Sequence, residues 1–283
     1  MPHASAVLTG IQINGMCVLL AMLSFLVGIQ ESRAGIKMKK WKKYKETQLY
    51  RVPDASAYLY VTDFMTIDAD GAPQAYHPDD TGLDALKHAG YPGTSWWKNV
   101  LVTDPDDQGK PYIVPSGKHS GYYLSMTSLR DRTKAVTDHA RYVDAARVPY
   151  LVFPVTFSKI MGVGDLGDIG VAVNIATGCY SPFVVADIGP KNHPLGEVSI
   201  RLAERLGGEN VCPRMGLEKS LGDILYIIFP GSGKNYPWPH SKDRLDGIAD
   251  NLLASIGGTE RVMAWIHHPA DIAAMLRQGP GKT

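Results

Sequence analysis

Two carboxylates within residues 182–208 have types and a spacing that could serve acid–base chemistry. Asp187 ends an apolar run that we expect to be a buried strand, and an acid held there is rigid and partly removed from water. Glu197 stands ten residues later, at the predicted start of a helix, whose dipole favours its anion. Such a pair could supply the general acid and general base of glycoside hydrolysis. The simpler alternative is a turn-forming Asp and a capping Glu.

A second group of acidic and aromatic residues could line a groove. The sequence D-A-D-G at residues 68–71 resembles the opening of a calcium loop, but no Glu follows at EF-hand spacing, and a turn at Asp70-Gly71 is the simpler interpretation. We therefore expect no metal and no other cofactor. Flat aromatic faces nearby could contact sugar rings, although some must be core. The candidate substrate-binding residues are Asp68, Asp70, His77, Asp79, Asp80, Trp96, Trp97, Tyr122 and Trp238.

Other catalytic classes lack their signatures in this chain. The Gly-rich segments at residues 162–170 and 229–234 do not have the spacing of a phosphate-binding loop, and no G-x-S-x-G motif is present. Cys179 and Cys212 stand alone, without the spacing of a metal site, and one disulfide between them is possible. The sequence thus argues against nucleotide binding and against a Ser or Cys hydrolase.

Short apolar runs separated by Gly, Pro and Asp must position these residues, and they predict strands. Helical periodicity is nearly absent before residue 198 and is expected at 198–206, 244–256 and 260–266, the last two outside the sheet. This order favours a mainly β fold, an antiparallel or mixed barrel or sandwich, over a parallel α/β sheet. The expected strands are 47–52, 57–67, 99–104, 111–115, 121–129, 148–157, 169–175, 182–188 and 223–230.

The charge of the chain is divided unevenly along its length. The 29 basic and 28 acidic residues give a net charge of +1, with 45% apolar residues, which excludes disorder and a generally basic nucleic-acid-binding surface. Residues 47–283 carry 22 basic and 26 acidic side chains, a net of −4. This part has the sign that attracts a cationic ligand. The Lys-rich run at 37–45 could be a nucleic-acid or membrane patch, but a solvated flank is the simpler interpretation.

The N-terminal segment has some features of an export signal. Residues 16–28 are uncharged, too few for an ordinary spanning helix and within the range of a signal-peptide core. No Lys or Arg precedes them, and the Lys run lies on the wrong side for export. A signal peptide, a short anchor and an unstructured or mis-started N-terminus all remain open. We assign 1–35 as leader, 36–46 as Lys-rich flank, 47–240 as the main domain and 241–283 as a C-terminal helical extension.

Eight segments of the main domain resemble the fungal-type chitosanases of glycoside hydrolase family 75, in its bacterial branch. The resemblance covers about residues 47–240, and four of its pieces are IDADGAPQAYHPDD, RYVDAARVPYLVFP, VVADIGP and LGEVSI. The other pieces are GLDALKHAGYPG, GYYLSMTSL, GDLGDIGVAVN and FPGSG.

The resemblance implies an endo-acting β-1,4-chitosanase that works with inversion. The essential Asp of the family then falls on Asp187 and its essential Glu on Glu197; we assign Glu197 as acid and Asp187 as base. Two patterns, a strand followed by D-x-G-P and then G-x-x-S-I-x-L-A, are also similar to those of double-psi β-barrels, the fold of expansins. We therefore expect this chain to form a double-psi-like β-barrel.

The expected partner is a cationic polysaccharide, chitosan, with no nucleic acid and no stable membrane partner beyond a possible N-terminal anchor. We expect a monomer that is secreted or in the cell envelope, although the leader departs from the signal peptides of the family. The alternatives are a non-catalytic, expansin-like binding module and an enzyme that cleaves the glycan strands of peptidoglycan.

Overall fold

The part of the chain that the structure describes contains nine strands of one mixed sheet, most of them formed by runs rich in Val, Ile, Leu or Tyr. The computed structural model describes residues 38–52 and 55–266. The strands are β1 Lys39–Tyr44, β2 Thr47–Arg51, β3 Tyr58–Thr62, β4 Thr66–Asp68, β5 Tyr150–Pro154, β6 Ile169–Asn174, β7 Tyr180–Gly189, β8 Glu197–Ser199 and β9 Ile224–Phe229. The helices are α1 Val155–Ser158, α2 Ile200–Arg205, α3 Ser232–Asn235, α4 Lys242–Ala254 and α5 Gly258–Ile266.

The sheet has the order β1-β2-β3-β9-β6-β7-β5-β8-β4. Most neighbours are antiparallel, but β5 pairs with β7 and β4 pairs with β8 in parallel. The predicted mainly β class is therefore confirmed. The sheet ends at β1 and β4, which do not pair with each other, so the described strands do not close into a barrel. The double-psi barrel stays a prediction.

The sheet has an apolar core on each face. Strands β6 and β9 are buried along their whole length, which accounts for their unbroken apolar sequences, since strands covered on both sides do not alternate. One face packs with Phe153, Phe183 and Tyr226. The other packs against α4 and α5 through Leu245, Ile248 and further apolar residues, so the two late helices lie against the sheet as expected.

Three predicted strands do not form. Residues 99–104, 111–115 and 121–129 make only isolated bridges, such as Leu101 with Ser125 and Ile113 with Tyr123. Pro lacks the N–H that a ladder needs, and glycines at positive φ turn the chain at the ends of these short runs. These segments instead form an irregular layer beside the sheet.

The Lys-rich stretch contributes a strand rather than only a flank. β1 pairs with β2 at the edge of the sheet and exposes Lys39, Lys40 and Lys43. Charged side chains at an edge discourage pairing with another chain. The leader at 1–35, the start of the flank and the end of the C-terminal extension lie outside the described residues.

Neither of the two cysteines in the described sheet and loops is paired. Cys179 and Cys212 are free thiols, so the disulfide that the sequence allowed does not form. Among the described residues, no helix has the length and apolar character needed to cross a membrane.

Candidate active site

A cavity of about 1480 Å³ lies beside the neighbouring strands β4, β5, β7 and β8, and both predicted catalytic carboxylates line it. Residues from 63–76, 84–100, 126–130, 190–193 and 213–220 and Val155 contribute the rest of the wall. A volume of this size would accommodate several units of a polymer, since pockets for drug-sized ligands are about 300–1,000 Å³. The predicted site residues can therefore be divided into those that line this cavity and those that do not.

A β-bulge aims Asp187 into the cavity. Ala186 has no partner on β5, because Val185 and Asp187 pair with consecutive residues of that strand. An extra residue of this kind bends the strand and changes the direction of the side chains after it. Asp187 is 7% exposed and belongs to the cavity wall.

Three donors converge on one oxygen of Asp187. Its Oδ1 accepts hydrogen bonds from the backbone N–H of Ser128 at 3.0 Å, from Oγ of Ser128 at 2.5 Å and from the N–H of Ile188 at 2.7 Å. Donors of this kind favour the carboxylate over the acid. They leave Oδ2 available to the cavity.

The prediction that Glu197 begins a helix is wrong. Glu197 is the first residue of β8, and α2 begins only at Ile200. Ser199 is the N-cap, since its Oγ accepts the N–H of Leu202 at 3.1 Å. Because Ser199 caps α2, Glu197 lies before the helix. The helix dipole therefore does not explain the pKa of Glu197.

Gly189 allows the carboxyl of Glu197 to approach β7. A Cβ atom on Gly189 would lie 2.6 Å from Oε2 of Glu197, closer than such atoms can pack. Asp187 and Gly189 are two residues apart in β7, so they point to the same face of that strand. The two carboxyls therefore face one side of β7.

Both carboxyls are buried, and the hydrogen bonds to Asp187 and its charge beside Glu197 separate their pKa values. Burial, opposed by the bonds from Ser128 and Ile188, raises the pKa of Asp187 from 3.8 to about 6. Burial and the charge of Asp187 raise the pKa of Glu197 from 4.5 to about 7. Near neutral pH this favours a protonated Glu197 beside an ionised Asp187, the arrangement that an acid and a base require.

Asp68 and Asp70 lie next to this pair as buried acids. Burial raises the pKa of both carboxyls well above the ordinary value. The next largest cause is the charge of Glu197 for Asp68 and the charge of Asp68 for Asp70, and each raises the pKa further. Oδ1 of Asp70 accepts hydrogen bonds from the hydroxyl of Tyr76 at 2.9 Å and from Oγ of Ser125 at 3.3 Å. Both predicted residues thus line the cavity.

The other predicted binding residues separate into one that lines the cavity and six that do not. Trp96 lines it and is 44% exposed, so it offers an aromatic face. Trp97 is 5% exposed and packs edge-on to Tyr91 in the core. The residues that lie outside the lining are His77, Asp79, Asp80, Trp97, Tyr122 and Trp238.

Several residues outside the lining have structural contacts of their own. His77 packs edge-on to Tyr122 with ring centroids 4.9 Å apart, and Asp79 is exposed beside it. Asp80 accepts the N–H of Leu86 at 2.8 Å and forms an ion pair with Arg214. These contacts fix loops near the cavity.

Sequence reasoning missed Ser128 and His193, which both line the cavity. Ser128 is the donor to Asp187, and His193 lies 3.6 Å from Glu197, from Nδ1 to Oε2. Ser128 is 59 residues from its partner, so no local pattern reports it. The spacing of His193 and Glu197, four residues, is visible in the sequence.

The Gly-rich segments form a structural turn around Asp168. This buried carboxylate accepts the N–H groups of Gly231 and Gly233, each at 2.9 Å, and of Asp165 at 2.8 Å. A Cβ on Gly233 would lie 2.6 Å from the backbone of Gly167. The glycines therefore serve close packing of two loops.

One oxygen from each of Asp68, Asp70 and Asp187 lies within 4.8 Å of the others, a spacing at which carboxylates could hold a cation. Hydrogen bonds from Ser128, from Tyr76 and from the backbone N–H of Asp70 engage all three carboxylates. An acidic cluster of this kind is common without an ion, so it does not by itself assign a metal.

Comparison with models of protein families gives no match to this chain, and comparison with curated proteins finds no similar sequence. The resemblance to the chitosanases therefore depends only on the segments of the sequence quoted above.

Proposed function

We propose that this protein is an endo-β-1,4-chitosanase that hydrolyses glucosamine-rich polysaccharide with inversion. The observation that carries the proposal is the presence of two buried carboxyls, Asp187 and Glu197, with pKa values of about 6 and about 7 in one open cavity. Both are the residues that the resemblance designates. Paired carboxyls with separated pKa values are typical of glycoside hydrolysis.

The proposed reaction uses each carboxyl once. Glu197 gives its proton to the leaving glycosidic oxygen as the bond to the anomeric carbon breaks. Asp187 takes a proton from a water that attacks the same carbon from the opposite face, so the configuration inverts. Glu197 ends ionised and Asp187 ends protonated, and exchange with water restores both. The bonds from Ser128 support Asp187 as the base, because they stabilise its anion.

A cationic sugar polymer as substrate is supported by the formal charge of residues 47–283, a net of −4, and by one exposed aromatic ring in the cavity wall. Trp96 offers an exposed ring for a sugar face. A secreted or cell-envelope location, and a double-psi relationship for the strands around the cavity, belong to the same proposal.

The deciding experiment measures new reducing ends from chitosan, chitin and peptidoglycan with the full chain. We expect activity on chitosan, and a loss of at least 10³-fold, on the order expected for removing an acid or base, in Asp187→Asn and Glu197→Gln. Asp106→Asn and Glu204→Gln are matched controls, because both residues are exposed and lie outside the cavity lining. Circular dichroism checks that each variant is folded.

Four results would decide against parts of this proposal. Activity that survives both substitutions would refute the site. Binding of chitosan without reducing ends would indicate an expansin-like module, and reducing ends only from peptidoglycan would indicate a different glycan as substrate. The anomer released first, followed by proton NMR, reports the stereochemistry: the α-anomer is expected, and the β-anomer would mean retention.

A further inference from the structure

An imidazole in the cavity wall lies against the proposed acid. Nδ1 of His193 is 3.6 Å from Oε2 of Glu197. Both atoms are buried, and neither has a hydrogen-bond partner within residues 38–52 and 55–266. Unpaired buried polar atoms are costly, and these two are close enough that a small rotation of either side chain joins them.

His193 is held in this place by contacts that do not involve Glu197. Its ring packs edge-on to Phe64, with centroids 5.4 Å apart, and its backbone oxygen accepts the hydroxyl of Tyr44 at 3.1 Å. The N–H of His193 reaches the carbonyl of Pro190 at 3.3 Å. The imidazole is therefore fixed independently and could orient a neighbour.

We propose that His193 is a positioning residue that donates its Nδ1–H to Oε2 of Glu197. This inference rests on the proposed function for its catalytic meaning, but the contact itself needs no substrate. With Oε2 engaged, Oε1 is the oxygen that carries the proton and meets the glycosidic oxygen. Oε2 accepts the same hydrogen bond before and after Glu197 gives up its proton, so no rearrangement accompanies the transfer.

The surrounding charges are consistent with a neutral imidazole in this role. Burial, followed by the charge of Lys45 and opposed by a backbone hydrogen bond to Pro194, lowers the pKa of His193, which favours the neutral ring. A neutral ring carries one proton, and only the Nδ1–H form can donate to an ionised Glu197. The titratable and charged groups around the pair come from several elements: Tyr44, Lys45, Asp68, Asp70, Asp187 and Lys191.

The contact can be tested by NMR without any turnover. Glu labelled with ¹³C at its carboxyl gives seven resonances in this chain, and the one missing in Glu197→Gln identifies the residue. His193→Phe keeps an aromatic ring against Phe64 but removes the donor, whereas the amide N–H of His193→Asn replaces Nδ1–H. We expect the pKa of Glu197 to rise by about one unit in His193→Phe, because a donor favours the anion, and to change by a few tenths at most in His193→Asn.

A second measurement separates the hydrogen bond from a change in polarity. The ¹⁵N spectrum of the unmodified protein at pH 8.5, where Glu197 is ionised, should show His193 protonated at Nδ1. His119→Phe, which removes an imidazole outside the cavity lining, should leave the Glu197 titration unchanged. Protonation at Nε2 at that pH, or equal shifts in His193→Phe and His193→Asn, would overturn the inference.

Activity measurements test the catalytic meaning of the contact. In His193→Phe, kcat should fall about tenfold with little change in KM. The alkaline limb of its pH profile should move to higher pH together with the pKa of Glu197. His193→Asn should keep most of the kcat of the unmodified protein. A fall in kcat with an unmoved limb in both variants would overturn the positioning role. If the unmodified protein releases no reducing ends, the proposed function fails, while the NMR titration still decides the contact.

Discussion

Replacing Glu197 by Gln should make the protein more stable above neutral pH. In the unfolded chain this carboxyl ionises at its ordinary pKa of 4.5, whereas burial and the charge of Asp187 hold its pKa at about 7 in the fold. Between these values the unfolded state loses its proton first, so the free energy of unfolding falls as the pH rises. A rise of about 2.5 pH units corresponds to a penalty on the order of 3 kcal/mol above pH 7. Since the side chain is only 18% exposed, little of this is screened by water.

Urea unfolding at pH 4, 5.5, 7 and 8.5 measures this penalty. Glu197→Gln and the unmodified protein should unfold alike at pH 4, and the variant should gain stability progressively up to pH 7 and then hold its advantage. Glu204→Gln is the control, because that side chain is 41% exposed in an ion pair with Arg201 at the surface. A constant difference at every pH, or a less stable variant at pH 8.5, would refute the assigned cause of the raised pKa.

Three further substitutions test the geometry of the cavity. Gly189→Ala should lower kcat at least tenfold by displacing the carboxyl of the proposed acid, and circular dichroism should show that the variant is still folded. The control is Gly247→Ala, in an open part of α4, which should leave activity unchanged. Ser128→Ala removes a hydrogen-bond donor to Asp187, so the pKa of Asp187 and the acid limb of the pH profile should move up by about one unit. An acid limb that does not move would contradict the role of Asp187 as the base. Trp96→Ala should raise KM about five- to tenfold at nearly constant kcat, the effect of losing one aromatic face; an unchanged KM would remove Trp96 from the binding surface.

The sequence indicated the elements more reliably than the contacts between them. Strands β6, β7 and β9 follow from unbroken apolar runs, and the late helices follow from their periodicity. The shorter and more polar runs between residues 99 and 129 form only isolated bridges, since Pro and turning Gly interrupt them. The composition of a segment indicates whether it is buried, whereas its pairing into a sheet depends on residues that are distant in sequence.

The same distinction applies to the site. Asp187 and Glu197 could be selected from residue type and resemblance, but their separate pKa values come from partners remote in sequence, such as Ser128. Glu197 was expected to owe its environment to a helix dipole, and it owes it to burial in a strand instead. A local pattern can designate an acid, but it does not report which of two acids keeps its proton.

The bulge at Ala186 connects the fold to the chemistry of the cavity. Without the extra residue, the side chain at position 187 would exchange faces with its neighbour Ile188, because a shift of one residue reverses the direction of every later side chain in a strand. Gly189 would turn away with it, and the space that admits Glu197 beside β7 would close. One unpaired residue in β7 therefore accounts both for the direction of the proposed base and for the approach of the proposed acid, although the apolar sequence around it reads as an ordinary strand.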